Sequence, residues 1–422
     1  MLSIKIKIVK ILINLSYYFE VRWDTYLLFR ILRWMIYLFM KFLFGMIPYQ
    51  AISHKAYCRQ QNTDVICIKR NRVGYSSNVI TNKSKDSQKL IPCIMDDLLL
   101  CHHKTVFIQG GSGIVLDFKR RLAINDYCAK MDETKSYQDI ITKSTKRKVL
   151  LLKLGRKNRY KLLPAGIMIS DRYANNYYHG LYEILIRLLV LEDIDNKIPS
   201  NVPIVVDEAI LKIPSLKRAF ELLTNNINRS IHIIKEGERL LFDNLWCITP
   251  VNSFLHIKAN SDGSPEYFVF DKEYTLKLRD RLLSNKSSKV FPKKVFITRA
   301  STKHRNFNEE DVFSVLEPMG FQKVSPEILS FEEQMSLFDG AEWIVSGAGA
   351  AFTNLLFSSI GCRVICLYQN FKGYVAPVFT TPAYFNGCAV YYYSDNSIET
   401  IDVHSNYTIN AKSLKLYLKT IQ

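Results

Sequence analysis

A run of small residues between two apolar segments constrains the fold of this chain more than any other feature of its sequence. Ser346–Asn354 contains two glycines and three alanines and lies between the apolar runs Trp343–Val345 and Leu355–Phe357. This order predicts a strand, a tight turn and the start of a helix. Such a turn lets backbone N–H groups and a helix N-terminus approach a ligand, which is how α/β folds hold phosphates. Small residues also occur where a strand packs closely on a helix, so this turn alone does not establish a ligand site. Other parts of the sequence must distinguish the two explanations.

A cationic loop lies upstream of this turn. It follows the strand-like run Lys294–Ile297 and carries Arg299, Lys303 and Arg305. Helical and apolar segments then alternate as far as Arg363–Leu367. Alternating elements of this length predict an α/β fold with a parallel, doubly wound sheet, whose ligand lies at the carboxyl ends of the strands.

These segments resemble glycosyltransferase family 61, whose bacterial members assemble capsular and other surface polysaccharides. The resemblance covers roughly Ala165–Ile409. The motifs that carry it are Asn176–Glu183, which includes His179, the Arg299–Glu309 segment, the Pro326–Gln334 segment and the Ala348–Asn354 turn. The resemblance implies a GT-B-like fold of two Rossmann-like, doubly wound halves. It also implies an acceptor on the first half and a nucleotide-sugar donor on the second.

Two residues depart from the family pattern. Ala348 stands where most members have His, and Cys366 stands where the next strand usually ends in Glu. Either difference could mean another donor, a shifted base or an inactive relative. Two functions therefore stay open at this point. One is a glycosyltransferase acting in surface polysaccharide biosynthesis, and the other is a non-catalytic, membrane-associated assembly protein that retains the transferase fold.

The predicted catalytic residues lie on a helix over Asn176–Leu191. Asn176, His179 and Glu183 project from one side of this helix together with Arg187, opposite an apolar face. A histidine imidazole can act as a general base, so His179 would deprotonate the acceptor hydroxyl, while Glu183 would orient it. A surface ion-pair ladder is the structural alternative, since the side chains are spaced four residues apart.

The predicted donor site must stabilise a diphosphate leaving group. Close acid pairs such as Asp96 and Asp97 lie outside the donor half, so Arg side chains and backbone N–H groups are expected to supply the positive charge. The predicted donor contacts are Arg299, Lys303, Arg305, Gly349, Ala350, Ala351 and Asn354. We therefore expect metal-independent, inverting transfer without a cofactor.

Composition limits the class of partner. The chain has 422 residues, a formal net charge of +18 and 48% apolar residues, enough for two or three domains with a large core. The charge fits a nucleotide, a polyanionic glycan or an anionic membrane. Cations and aromatics are not interleaved as in single-strand-binding grooves, so no nucleic acid is expected.

The nine cysteines are scattered and odd in number, which indicates a reducing compartment. Cys101, His102 and His103 are adjacent. No second ligand pair at zinc spacing accompanies them in the sequence, so buried thiols are expected rather than a metal site.

Residues 1–53 are predicted to form a membrane-associating amphipathic helical segment. Arg22, Arg30, Arg33 and Lys41 share one helical arc opposite a continuous apolar face, as in helices that lie in the membrane interface. The longest uncharged run, Phe42–Ser53, is shorter than the ~20 residues that cross a bilayer. We expect peripheral binding at the cytoplasmic face of the inner membrane. A single spanning helix and a helix packed on the protein are the alternatives.

The sequence pattern divides the remaining residues into four sections. Residues 54–160 predict a small β-rich section in which Gln109–Gly113 forms a hairpin turn. Residues 161–285 predict the acceptor-side α/β half, and 290–400 predict the half that binds the nucleotide sugar. Residues 401–422 predict a C-terminal strand and helix that pack back.

Overall fold

The computed structural model describes residue 35 and residues 46–82, 87–130, 140–144, 149–153, 160–171, 173–252, 268–299, 305–368, 377–395 and 405–421. Residues 1–34 and 36–45 of the predicted amphipathic segment, and Lys303, lie outside these residues. The helical prediction was wrong for residues 46–52, because they form a strand that pairs with two others. Within the described residues, no helix combines the length and the apolar character needed to cross a membrane.

Nineteen strands occur in the described residues. They are β1 (Met46–Ile52), β2 (Val65–Lys69), β3 (Val73–Ser77), β4 (Ile80–Thr81), β5 (Leu90–Ile94), β6 (Leu98–Gln109), β7 (Val115–Asp117), β8 (Leu122–Ile124), β9 (Ile140–Ser144), β10 (Val149–Lys153), β11 (Lys161–Ile169), β12 (Ile204–Asp207), β13 (Ile231–Ile234), β14 (Arg239–Ile248), β15 (Lys294–Ile297), β16 (Gln322–Val324), β17 (Trp343–Gly347), β18 (Arg363–Leu367) and β19 (Ala389–Tyr393).

Helices connect these strands. They are α1 (His54–Gln61), α2 (Asp126–Lys130), α3 (Tyr177–His179), α4 (Arg187–Ile194), α5 (Glu208–Leu211), α6 (Pro214–Thr224), α7 (Lys272–Leu283), α8 (Glu309–Leu316), α9 (Phe331–Gly340), α10 (Pro377–Phe385) and α11 (Ala411–Thr420). A π-helical segment, Gly180–Leu185, joins α3 to α4, and 3₁₀ helices occupy Asp195–Lys197, Glu317–Met319, Pro326–Ile328 and Ala350–Phe357.

The second half is built on a parallel sheet of six strands in the order β16-β15-β17-β18-β19-β4. Alternate side chains of its strands face opposite sides, because successive residues of a strand point to opposite faces. Phe296, Val345 and Ile365 pack towards α8 and α11. Val295, Ile344 and Val364 join the other core, which includes α9. Both faces are covered, and the predicted α/β class is confirmed.

The first half is built on a larger, mixed sheet. β13, β12, β11 and β14 run parallel in that order, and β6 then pairs with β14 in antiparallel register. β7, β8, β1, β10 and β9 continue the sheet beyond β6. The strands of the β-rich section are thus shared, because most of them extend this sheet while β4 pairs with β19 of the second one.

The predicted hairpin turn at Gln109–Gly113 is confirmed. It joins β6 to β7, whose residues Ile108 and Val115 are paired in antiparallel register. Gly111 and Gly113 have φ values of 83° and 60°, a backbone region that glycine enters without steric cost.

One hydrophobic core runs through both halves. It contains Ile167 and Leu185 from the first half together with Val295 and Leu355 from the second. Helix α3 lies against the 3₁₀ helix Ala350–Phe357, so the strand ends of the two halves are brought to one side of the molecule.

Candidate active site

The strand order of the second sheet reverses between β15 and β17, and the cationic loop and the small-residue turn meet there. β15 precedes Thr298 and Arg299, β17 precedes Ala348, and the last residue of β15 pairs with Ser346. Ligands of open α/β sheets bind outside the carboxyl ends of the strands at such a reversal. The structure therefore brings together the two segments that the sequence singled out.

Arg299 is held against the turn. Its Nη1 donates a hydrogen bond of 2.8 Å to the carbonyl oxygen of Ala348, and the residue is only 8% exposed. An added Cβ on Gly349 would lie 1.7 Å from Nη1 of Arg299, so any larger residue there would force the guanidinium to move. Glycine at position 349 thus permits this close approach, and its φ of −178° is not unusual.

Glu309 fixes the backbone that carries Arg299. Its Oε1 accepts a hydrogen bond of 2.6 Å from the Arg299 backbone N–H, and its Oε2 accepts one of 2.5 Å from the Thr298 hydroxyl. Glu309 is the first residue of α8, so one carboxylate joins the loop to the helix that follows it. The sequence marks Glu309 as an acid in a first helical turn and as the end of the Arg299–Glu309 motif, but it does not show these contacts.

Arg305 lies close to the same buried region. Burial raises the pKa of the Cys366 thiol well above its usual range, and the positive charges of Arg299 and Arg305 oppose that shift. Cys366 is therefore a neutral thiol at the position where the family resemblance leads us to expect Glu. The two guanidinium groups receive no carboxylate from this position of β18.

The remaining predicted donor residues lie along the start of the 3₁₀ helix. Ala350 is exposed and Ala351 is half-buried, so the backbone at this end of the helix is accessible. Asn354, by contrast, is 1% exposed. Its side chain accepts a hydrogen bond from the Tyr177 hydroxyl and donates one of 3.0 Å to Oε1 of Gln334. The structure thus places Asn354 in a buried network between the halves.

Gln334 is the third member of this network, and its hydrogen bonds explain the Pro326–Gln334 motif. Its Nε2 donates to the carbonyl oxygens of Pro326 and Leu329, at 3.1 and 3.2 Å. Ser330 and Glu333 form the capping box that starts α9. The motif therefore folds around the Gln334 amide, which in turn positions Asn354.

His179 and Glu183 are paired. Nδ1 of His179 contacts Oε1 of Glu183, and the His179 ring stacks on Tyr173 with centroids 4.6 Å apart. The His179 and Glu183 side chains are 20% and 18% exposed, so both reach the surface. With Nδ1 engaged by a carboxylate, Nε2 of His179 is the ring nitrogen left to accept a proton.

Asn176 has a local role. Its Oδ1 accepts hydrogen bonds from the backbone N–H groups of Tyr178 and His179, at 2.9 and 3.3 Å, which caps α3. The predicted catalytic helix thus begins at this cap. Asn176 fixes where the backbone of His179 lies.

Arg187 does not share the polar face predicted for it. The π-helical segment Gly180–Leu185 inserts an extra residue into the turn, which rotates everything after it. Arg187 is consequently 6% exposed, and its Nη2 is paired with Asp171. The prediction of a continuous stripe from Asn176 to Arg187 was wrong, because it assumed one uniform α-helical period.

A small cavity lies at the reversal of strand order in the first sheet, between β11 and β14. Its lining includes Ser170, Asp171, Arg187, His54 and Asp126. Burial lowers the pKa of His54 to about 4 and raises the pKa of Asp126 to about 6. No local sequence pattern predicts this cavity, since its residues come from four distant parts of the chain.

The two strand-end regions approach each other through α3 and the π segment. Tyr177 contacts Asn354, and the Tyr182 hydroxyl donates to the carbonyl oxygen of Thr353 at 3.1 Å. His179 lies between these two tyrosines in the chain. The His179–Glu183 pair and the Arg299 turn therefore flank one contact between the halves.

Residues 177–365 match the family model described as Glycosyltransferase 61. This part of the chain belongs to the glycosyltransferase 61 family. The match begins in α3, beside His179, and ends in β18, so the glycosyltransferase 61 domain contains both the His179–Glu183 pair and the Arg299 turn. A comparison with curated proteins gave no match.

Proposed function

We propose that this glycosyltransferase 61 domain moves a sugar from a nucleotide-sugar donor to a glycan or lipid-linked acceptor in surface polysaccharide biosynthesis, with inversion at the anomeric carbon. The observation that carries the proposal is the buried Arg299 guanidinium, seated on the Ala348 carbonyl where the strand order of a parallel sheet reverses. Two sheets, each with such a reversal, support a GT-B-like arrangement.

The donor diphosphate is assigned to the Arg299 turn. Arg299 and Arg305 offer positive charge beside a neutral Cys366, and Ala350 at the start of the 3₁₀ helix is exposed. Charge-assisted hydrogen bonds from guanidinium groups are the strong ones, and they match the oxygens of a diphosphate. They would stabilise the charge that develops on the leaving group.

The acceptor hydroxyl is assigned to His179. Nε2 of His179 takes the hydroxyl proton, and the acceptor oxygen forms a bond to the anomeric carbon as the bond to the diphosphate oxygen breaks. The electron pair of that bond leaves with the diphosphate. Glu183 holds the ring through Nδ1 and stabilises the imidazolium that forms. Attack from the face opposite to the leaving group gives inversion.

A divalent metal is not needed in this scheme. Glu309, the acid that contacts the cationic loop, has both carboxylate oxygens engaged by Thr298 and Arg299. Guanidinium groups and backbone donors are proposed to replace the metal. Residues 1–45, the part of the predicted amphipathic segment that precedes β1, are proposed to hold the enzyme at the cytoplasmic face of the inner membrane, next to a membrane-linked acceptor.

The test is a screen of nucleotide sugars for release of free nucleotide by the full chain, with and without Mg²⁺ or Mn²⁺. We expect release with one donor class, and a change of no more than about twofold after brief treatment with EDTA. The matched variant His179→Gln should lose at least about a hundredfold in turnover while still binding nucleotide. Strict dependence on added metal would refute the metal-free scheme.

The alternative is a non-catalytic assembly protein, for which Ala348 in place of His is the specific observation. Nucleotide binding does not separate the two functions, because an inactive relative could still bind. Binding without release across all donor classes and acceptor extracts would favour the assembly protein.

A further inference from the structure

Five metal-ligating side chains that the proposed function does not use lie together in the first half. Two come from α1, two from β6 and one from β14; they are His54, Cys58, Cys101, His103 and Cys247. All five are buried. His54 and Cys58 are four residues apart on one helix face, and Cys101 and His103 are two apart on one strand face. Cys101 also lies opposite Cys247 in the β6–β14 register.

Three of these side chains converge on one point. Nδ1 of His54 lies 2.7 Å from Nε2 of His103, and the ligand atoms of His54, His103 and Cys247 all lie within 4.8 Å of one another. Around a tetrahedral Zn²⁺ such atoms are separated by about 3.3 to 3.6 Å, given Zn–N and Zn–S bonds of about 2.0 to 2.3 Å. Separating the two facing nitrogens by less than about 1 Å, with Cys247 Sγ drawn in from its distance of up to 4.8 Å, would therefore admit the ion.

We propose that His54 Nδ1, His103 Nε2 and Cys247 Sγ bind one Zn²⁺ ion, a site separate from the transfer chemistry. Two imidazoles and one thiolate form a borderline-soft donor set of the kind that zinc prefers over Mg²⁺ or Ca²⁺. The site joins α1 to the central strands β6 and β14, so a bound ion would hold these elements together.

The surroundings supply what a zinc site needs outside its first ligands. Nδ1 of His103 lies 3.6 Å from Sγ of Cys58, a contact that orients the ring. His54 and Cys247 also line the cavity that Asp126 lines, so the fourth coordination position is assigned to a water molecule in that cavity. Oδ1 of Asp126 accepts a hydrogen bond of 3.1 Å from the His54 backbone N–H, while its buried Oδ2 has no hydrogen-bond partner among the described residues. Asp126 lies too far from the three ligand atoms to join them, so its Oδ2 would accept a hydrogen bond from that water molecule instead.

Zinc binding moves one proton within a histidine ring and releases another. Without metal, one proton lies between Nδ1 of His54 and Nε2 of His103. Binding moves this proton to the other nitrogen of its ring and so frees both facing lone pairs. The Cys247 thiol loses its proton to solvent as the S–Zn bond forms, so one proton is released for each ion bound.

The experiment measures zinc in the full chain purified without chelator. We expect about one zinc per chain, retained on dialysis, and a Co²⁺-substituted protein with visible d–d absorption and a thiolate charge-transfer band. Removal of zinc by prolonged strong chelation should lower Tm, and added zinc should restore it.

Variants distinguish a built site from adventitious metal. Cys247→Ala and His103→Asn should retain less than about a tenth of the zinc, whereas Cys388→Ala and His102→Asn, matched changes outside the three ligands, should retain it. If a ligand variant fails to fold, the cobalt spectrum of the unaltered chain decides. Purified protein without zinc and without a cobalt spectrum would overturn the proposal, as would equal zinc in ligand and control variants. Either result leaves the transferase proposal untouched.

Discussion

Arg299 combines a charged group with near-complete burial, and its Nη1 hydrogen bond to Ala348 holds it beside the turn. We predict that Arg299→Ala weakens nucleotide binding by about tenfold to a hundredfold, because a charge-assisted hydrogen bond contributes about 1.5 to 3 kcal/mol. Isothermal titration calorimetry measures this change. Arg363→Ala is the matched control, since Arg363 lies at the opposite end of the sheet and stacks over Trp343. An unchanged dissociation constant for Arg299→Ala would remove the donor site from this turn.

Substitutions of Gly349 and Gly340 by Ala form a second matched pair, because each adds a single methyl group. A Cβ on Gly349 would collide with the Arg299 guanidinium, whereas a Cβ on Gly340 meets nothing within 4 Å. We therefore predict that Gly349→Ala weakens nucleotide binding at least about tenfold by displacing Arg299. Gly340→Ala should leave binding unchanged and alter the free energy of unfolding by no more than about 1 kcal/mol. Equal affinities for the two variants would show that Arg299 does not act through its position on the turn.

The sequence predicted individual site residues but not the residues that they contact. Arg299 and Gly349 were predicted together because a cationic loop and a small-residue turn each follow a strand. The pairing of Glu309 with Thr298, and of Asn354 with Tyr177, could not be predicted. Such contacts depend on how separate elements are packed, and no local pattern records that packing.

The contact between α3 and the 3₁₀ helix is the element-scale feature that joins the halves. The Tyr177 hydroxyl donates to the Asn354 amide inside the core, where an unsatisfied acceptor is costly. We predict that Tyr177→Phe lowers the free energy of unfolding by about 1 to 3 kcal/mol. Urea denaturation measures the change, with Tyr160→Phe at an exposed position as the control. A loss no larger than that of the control would mean that the network does not stabilise the contact.

Most strands and helices of the two α/β halves follow the apolar periodicity and the caps of the sequence. β15 and β18 have the bounds of the runs Lys294–Ile297 and Arg363–Leu367 that the sequence indicated. Two features of the structure could not be predicted from the sequence pattern. The π-helical segment shifted Arg187 off the predicted face, because projection at a constant angle hides an inserted residue. The strands of the β-rich section are divided among three sheets, in part by pairings between residues far apart in sequence, such as Tyr391 with Ile80.

At the scale of the whole molecule, the structure sets the boundary for a test of membrane binding. β1 begins at Met46 and pairs with β8 and β10, so a truncation must stop before it. Removing residues 2–45 should leave the sheet intact, whereas removal through residue 53 would delete a strand. We predict that the shorter truncation releases the protein from membranes while preserving turnover on a soluble acceptor.

Charge substitutions separate the electrostatic contribution from apolar insertion. Arg22, Arg30, Arg33 and Lys41 share the predicted helical arc, and each cation near an anionic surface contributes about 1 kcal/mol. Replacing all four with Gln should weaken sedimentation with anionic vesicles by at least about a hundredfold and hardly change it with neutral vesicles. Raising the salt concentration should reproduce the effect in the unaltered chain, because exposed charges are screened. If the truncated protein still sediments with membranes, or if the Gln variant binds anionic vesicles as tightly as the original, the segment does not act as an interfacial helix, and the spanning or core-packed alternatives take its place.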